Sequence, residues 1–181
     1  MAVLSLPDLA VLREMFTYDP DSGDLIWKER PPGHFRNQHA CNAWNARFAG
    51  KTAGGVSGTG YRNVGINGTL YLVHRIIWKL HHGTGPGPIL DHINRDKQDN
   101  RVENLREISK AENCQNTVDP RSNNASGFMG VSRHGDRWRA TIWANGERKN
   151  LGCFDAPEQA QAAYLQAKAL LHPAAGLAPA G

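Results

Sequence analysis

Asp91, His92, Asn104 and Asn113 have the types and spacing to do chemistry, and all four lie in DHINRDKQDNRVENLREISKAENCQN, residues 91–116. A carboxylate from Asp91 and an amide oxygen from Asn113 are hard donors, suited to Mg²⁺ or Mn²⁺ rather than zinc. With only two protein ligands such an ion keeps positions for water and a phosphate. His92 could take a proton from attacking water, since an unperturbed imidazole titrates near pH ~6.5. Asn104 could hold the far imidazole nitrogen and fix the ring. The same stretch also reads as a polar loop. It crowds five asparagines into 26 residues with little apolar filler, and Asn94, Asp96, Asp99 and Asn100 suit turns and caps. From spacing alone the two readings stand level.

Adjacent strand residues point to opposite faces, so joint use of Asp91 and His92 needs a strand that ends there. ILDHI and LREIS predict two short strands around the excursion NRDKQDNRVENL. Ser109, with Glu112 three residues on, opens a helix in a capping-box arrangement that carries Asn113 in its first turn. Upstream, GYRNVGI and TLYLV flank Asn67-Gly68, a hairpin signal. Val73, Ile76, Ile77 and Leu80 then follow helical spacing to a stop near Gly83. Leu9, Leu12 and Met15/Phe16 predict a short amphipathic helix, YDPDSGDL a turn, and LIWKE a strand. Residues 30–58, rich in Gly, Pro and Asn, read as loops.

Downstream, TVDPRSNNAS (117–126) reads as a linker. GFMGVSR, RWRATIWA and RKNLGCF read as three strands, with Asn145-Gly146 a tight turn between the last two. Ala156–Leu171 predicts an alanine-rich helix with Pro157 in its first turn, where proline is tolerated. HPAAGLAPAG is a low-complexity tail expected to be disordered. The divisions are 1–72, an N-terminal helix and hairpin region; 73–116, the strand-loop-strand-helix core; 117–126, the linker; 127–172, the sheet module; and 173–181, the tail.

The 181 residues suffice for one ordinary domain or two small ones, and 40% hydrophobic content allows a modest core. A net charge of +4 leans toward a polyanionic partner. Cys41, Cys114 and Cys153 are scattered and form no CxxC pair. That argues against a disulfide framework and against a structural zinc, and points to a reducing cytoplasm. MAVLSLPDLAVLREMF lacks the basic start of a targeting segment, and no run reaches the ~20 apolar residues of a membrane span.

HRIIWKLHHG…ILDHINRDKQDNRVENLREISKAENCQN resembles the HNH endonucleases, of the phage and homing-endonuclease branch with a ββα-metal fold. The match runs from about His74 to Asn116, and the upstream GYRNVGINGTLYLVHR is in keeping with it. The resemblance implies Asp91 and Asn113 as ligands of one Mg²⁺ or Mn²⁺ ion per site, His92 as general base and Asn104 as the residue orienting it. The third motif letter is asparagine, an HNN variant. His74-Arg75 belongs to the pattern without an assigned chemistry; Arg75 could touch a phosphate or be a helix-surface charge. The implied reaction is metal-dependent hydrolysis of phosphodiester bonds in double-stranded DNA, in a bacterial or phage-infected cytoplasm.

In RWRATIWA, alternation puts Trp138, Ala140 and Ile142 on one face and Arg139, Thr141 and Trp143 on the other. Arg133, Arg137 and Arg148 are expected beside the second face, which could enter a DNA major groove or be an ordinary solvated surface. GFMGVSRHGDRWRATIWANGERKNLGCFDAPEQAQAAYLQAKALL resembles the ethylene-response-factor (Apetala-type) DNA-binding domain, through its Gly-Val start, LG-x-F-D and A-x-x-A-Y. Met129 and Ser132 stand where that family usually has arginines. The resemblance implies Arg133, Arg139, Trp143 and Arg148 as DNA contacts. The expected fold class is α+β: a ββα-metal nuclease domain preceded by a hairpin region, then a three-stranded antiparallel sheet on one helix. The expected protein is a monomer with one active site. A non-catalytic DNA-binding regulator is the alternative, though a pure binder needs none of Asp91, His92, Asn104 and Asn113. RNA binding through the basic sheet is a third class.

Overall fold

The computed structural model describes residues 4–116, 120 and 124–172, and the chain divides into two units, Met1–Ser109 and Lys110–Gly181. In the first, α1 (Leu9–Met15) buries Leu12 and Met15, one helical turn apart, and leads directly into β1 (Phe16–Asp19). β1 pairs antiparallel with β2 (Asp24–Trp27) across a turn in which the Asp19 carboxylate accepts from the Asp21 N–H and the Ser22 hydroxyl. A 3₁₀ turn (Pro32–His34) and α2 (Gln38–Phe48) come next. β3 (Gly55–Val56), β4 (Arg62–Ile66) and β5 (Thr69–Leu72) make an antiparallel sheet in that order.

The β4–β5 turn is the Asn67-Gly68 pair with φ of 49° and 78°. Two left-handed residues match the right-handed twist of the flanking strands. α3 (Val73–His82) carries Val73, Ile76 and Ile77 into the core beside Leu12, Phe16, Leu25, Val64 and Ile66, and stops at left-handed Gly83. β6 (Leu90–His92) pairs antiparallel with β7 (Leu105–Glu107) around the polar excursion.

Residues 30–58, expected as loops, hold α2 and β3 instead. α2 was hidden because only Cys41 on it is buried, so no apolar stripe marks it. It is defined by an Asn37 cap, whose side chain accepts from the Ala40 N–H at 2.8 Å, and by Trp44, which packs on Trp27, Phe35 and Phe48.

The second unit begins with α4 (Lys110–Gln115), six residues without a buried side chain. By its contacts α4 falls in the second unit, which starts at Lys110. Most of the expected linker, residues 117–119 and 121–123, and the expected tail, 173–181, lie outside the described residues. β8 (Val131–His134), β9 (Arg137–Ala144) and β10 (Glu147–Phe154) form an antiparallel sheet with β9 central. α5 (Pro157–Leu171) covers one face, where Val131, Ala140 and Ala160 are buried among Phe128, Trp138, Leu151 and Phe154.

In the first unit the β1–β2 turn presses against the excursion. A Cβ added to Gly23 (φ 74°) would lie 2.6 Å from the Arg101 nitrogen and 2.9 Å from the Asn100 carbonyl carbon. Backbone on both sides leaves no soft neighbour to yield. Gly23→Ala is expected to cost about 2–4 kcal/mol and to lower the denaturation midpoint accordingly; an unchanged midpoint would show that this close approach is not made.

Candidate active site

His92 ends β6 with only 4% of its surface exposed. Its Nε2 lies 3.1 Å from Oδ1 of Asn100, which is itself 1% exposed. The Asn100 amide nitrogen donates to the Gln98 carbonyl at 3.2 Å, so its oxygen is the atom that faces the imidazole. An amide oxygen can only accept, so Nε2 carries the proton and Nδ1 keeps the basic lone pair. Asn100, expected among the turn residues, holds the imidazole instead; the signal for it in the sequence is its place in a stretch with too few apolar residues to fill the space beneath the loop.

Asn104, expected to orient His92, does something else. Its Oδ1 accepts from the Asn94 N–H at 2.9 Å, and its amide nitrogen donates to Asn94 Oδ1 at 2.9 Å and to the Asp99 carbonyl at 2.8 Å. Both amide protons are thereby committed to the loop. Asn104 clasps the two ends of the excursion, and its backbone carbonyl accepts from the Ile93 N–H at 2.8 Å. Asn94 and Asp96 are turn residues, as expected: Asn94 Oδ1 accepts from the Asp96 N–H and Asp96 Oδ1 from the Gln98 N–H. Asp99 takes two charge-assisted bonds from Arg101, at 2.8 and 2.7 Å, which hold its carboxyl down to about 2.

Asp91 sits one residue before His92 on β6, in register with Arg106 of β7. Arg106 donates through Nε at 3.1 Å and Nη2 at 3.0 Å to Asp91 Oδ2. β6 alternates in burial, with Leu90 and His92 inside and Asp91 half-buried, and its last residue is His92. Asn113 is exposed on α4, in the second unit. Among the described residues no group of three or more His, Cys, Asp or Glu stands together as a metal cluster.

His74 and Arg75, unassigned from sequence, are buried on α3. The His74 ring stands edge-on to His92 at 5.1 Å between centroids, with Tyr61 at 5.3 Å from the first and 5.9 Å from the second. Burial, then the proximity of His92 and Arg75, pushes the His74 pKa down to about 3. His74 is thus neutral at pH 7 and places no permanent charge beside His92. The unfolded chain takes up this proton near pH ~6.5, so His74 weakens folding progressively as pH falls from there and costs nothing above it. Arg75, expected as a possible phosphate contact, donates instead through Nη2 to the carbonyls of Pro86 and Gly87 at 3.2 and 3.1 Å. Its burial fits a brace for that loop rather than a DNA contact.

On the sheet, Arg139, Thr141 and Trp143 lie opposite the α5 face, and Trp143 is 65% exposed. Arg148 pairs with Trp143 in register and shares its face. Arg137 is exposed too, donating to the Cys153 carbonyl and paired with Asp155 at 2.8 Å. Arg133 was expected with this group. Its register partner is Trp138 of the opposite face, and its guanidinium lies 5.2 Å from the Trp138 ring centroid. The period-two alternation of the pleat puts cross-strand partners on one side, which separates Arg133 from Trp143.

Residues 71–115 match the model of an HNH endonuclease family, a span that contains α3, β6, the excursion, β7 and α4. Protein 3.8 of Escherichia phage T7 is 34% identical over 88 residues, which cover 47% of this chain and 72% of that protein. No solved structure matches the chain. With this family model and this relative, the chain belongs to the HNH endonuclease family.

Proposed function

We propose that the protein is a metal-dependent endonuclease that hydrolyses phosphodiester bonds in double-stranded DNA, with His92 as general base. The observation that carries this reading is the His92–Asn100 contact. A buried imidazole held at Nε2 by an amide oxygen presents Nδ1 as a proton acceptor in one orientation. Asp91 and Asn113 would hold one Mg²⁺ or Mn²⁺ ion; a carboxylate and an amide oxygen suit those hard cations. When bound, the ion supplies polarisation of the scissile phosphate and stabilisation of the departing oxygen. The chain's own residues do the rest. Arg106 fixes the Asp91 carboxylate, Asn100 fixes the His92 ring, His92 removes the proton from water, and Asn104 keeps the excursion closed.

The sheet module targets the reaction in this proposal. Arg139, Trp143 and Arg148 on the open face, with Arg137 at its rim, suit contact with a major groove, as in the ethylene-response-factor domains the segment resembles. Ten linker residues extend at most ~35 Å, about one turn of duplex, which in this proposal sets one turn as the outer limit between anchor and cut site.

Cleavage of duplex DNA with Mg²⁺ and its loss in EDTA is the direct test. His92→Ala and Asp91→Ala are each expected to lower the rate by about 10²–10⁴-fold while retaining DNA binding; full activity in either purified variant refutes the assignment. Asn100→Asp puts a carboxylate beside Nε2, which favours the protonated ring. Because the base acts in its neutral form, the acid limb of the pH–rate profile should move to higher pH, and an unmoved limb would exclude the Asn100–His92 coupling. In footprints of the uncleaving His92→Ala protein, adding Trp143→Ala and Arg148→Ala should erase the anchor's share of the protection, within about one turn of the cut site. Identical protection with and without these changes would rule out the anchoring role.

A further inference from the structure

Between Glu29 and Asp91 the chain carries no carboxylate at all. Those 61 residues hold seven of its 21 cationic side chains and none of its 17 acidic ones, which leaves the remainder of the chain net negative by three. Four of the seven have structural partners. Arg62 pairs with Asp24, Arg75 donates to two carbonyls, Lys79 donates to the Pro7 carbonyl, and the Arg30 guanidinium lies 5.1 Å from the ring centroids of both Phe35 and Trp44. The other three, Arg36, Arg47 and Lys51, are exposed, and among the described residues no ion pair engages them. Arg47 rests on the ring of its neighbour Phe48, which leaves its charge unneutralised. All three belong to one excursion, residues 28–51, centred on α2.

That excursion is built to hold its shape. Its ends are joined where the Trp27 N–H donates to the Lys51 carbonyl at 3.0 Å and the Gly50 N–H to the Trp27 carbonyl at 2.8 Å. The Asn45 side chain accepts from the Arg30 N–H and donates to the Arg30 carbonyl, both at 3.0 Å, which straps the incoming segment to α2. Trp44 packs against Trp27, Phe35 and Phe48 beneath. The outer face of α2 is left with Gln38, His39, Asn42 and Arg47, hydrogen-bonding groups without a negative charge. The carboxylates on the neighbouring elements, Glu14 and Asp24, are engaged by His34 and Arg62; Glu29 lies at the start of the excursion.

Resting on the endonuclease reading, we propose that residues 28–51 form a second DNA-contact surface, which seats the phosphodiester backbone of the substrate duplex on Arg36, Arg47 and Lys51. On a pinned scaffold the backbone is already ordered, so meeting phosphates costs these cations side-chain freedom alone and breaks no ion pair. Asparagine, glutamine and histidine donors between them match the side-chain types that position proteins on a backbone without reading its sequence. α2 is roughly 16 Å long at 1.5 Å per residue, the axial span of about five phosphates of one strand. The surface contributes affinity and register, and the sheet module contributes selectivity.

The test measures binding of the full chain carrying His92→Ala to duplex DNA across a salt series without divalent metal. Arg36→Gln, Arg47→Gln and Lys51→Gln together should weaken binding at least tenfold at about 0.1 M salt and flatten the slope of log affinity against log salt by about two to three. A charge-matched control neutralises Arg13, Lys110 and Lys149, so the loss of net charge is the same and only position differs. Arg36→Lys, Arg47→Lys and Lys51→Arg, which keep the charges, should restore the slope. Equal slopes in the triple variant and the control overturn this surface while leaving the endonuclease reading intact. Absence of any duplex binding by the chain with residues 28–51 unaltered overturns both. A slope change seen with single-stranded RNA and not with the duplex assigns the surface to RNA and also overturns the proposal.

Discussion

A histidine buried at the end of a strand keeps one ring orientation only if a partner fixes it, and His92 is held by the Asn100 amide. The rest of the nuclease segment is shaped by that constraint. Asn100 can face His92 only if residues 93–104 close into a fixed loop. This stretch has little hydrocarbon with which to build a core, so hydrogen bonds close it. Asn94, Asp96, Asp99 and Asn104 supply them in a connected set, with Arg101 locking Asp99. Such a network is strong only when its members are satisfied together, because each unpaired amide near a low-dielectric interior costs as much as a lost bond.

The neighbouring elements brace this loop from outside. The Tyr18 hydroxyl accepts from the Val102 N–H at 3.0 Å, Gly23 lets the β1–β2 turn lie against Asn100 and Arg101, and Lys97 donates to the Thr59 carbonyl. Each brace comes from an element seated on the apolar core of Leu12, Phe16, Leu25, Val64, Ile76 and Ile77. Packing free energy gained there reaches the polar loop through a few specific contacts. His74 joins the two regimes: it sits on the core helix, stays neutral because it is buried, and lays its ring edge against His92.

The second unit solves a smaller problem by simpler means. Its sheet has one covered and one open face, and the pleat alone decides which side chain goes where. Alternation along RWRATIWA placed Ala140 and Ile142 inward and Trp143 outward correctly. Arg133 went astray because its face depends on register with β9, which pairs it with Trp138. In the first unit, Asn67-Gly68, the 3.6 period of α3 and the stop at Gly83 were legible because backbone sterics and apolar spacing act locally. α2 was not legible, because its stability comes from a cap and from Trp44 packing on aromatics far along the chain rather than from a stripe.

By itself the sequence determined the local elements around the site, the two short strands with their polar excursion, and the spacing of Asp91, His92, Asn104 and Asn113 that resembles an HNH nuclease. Those are properties of neighbouring residues, written in periodicity, turn chemistry and order. Only the tertiary structure decided which asparagine does what. Five amides with the same chemistry are equivalent in a linear string, and a hydrogen bond is made by the one whose oxygen arrives within about 3 Å at a good angle. Loop closure brought Asn100 to the imidazole and turned Asn104 toward Asn94 and Asp99, and the burial of α3 took Arg75 inside. The amide crowding that first reads as a loop is a loop, and its closure is what holds His92 in place.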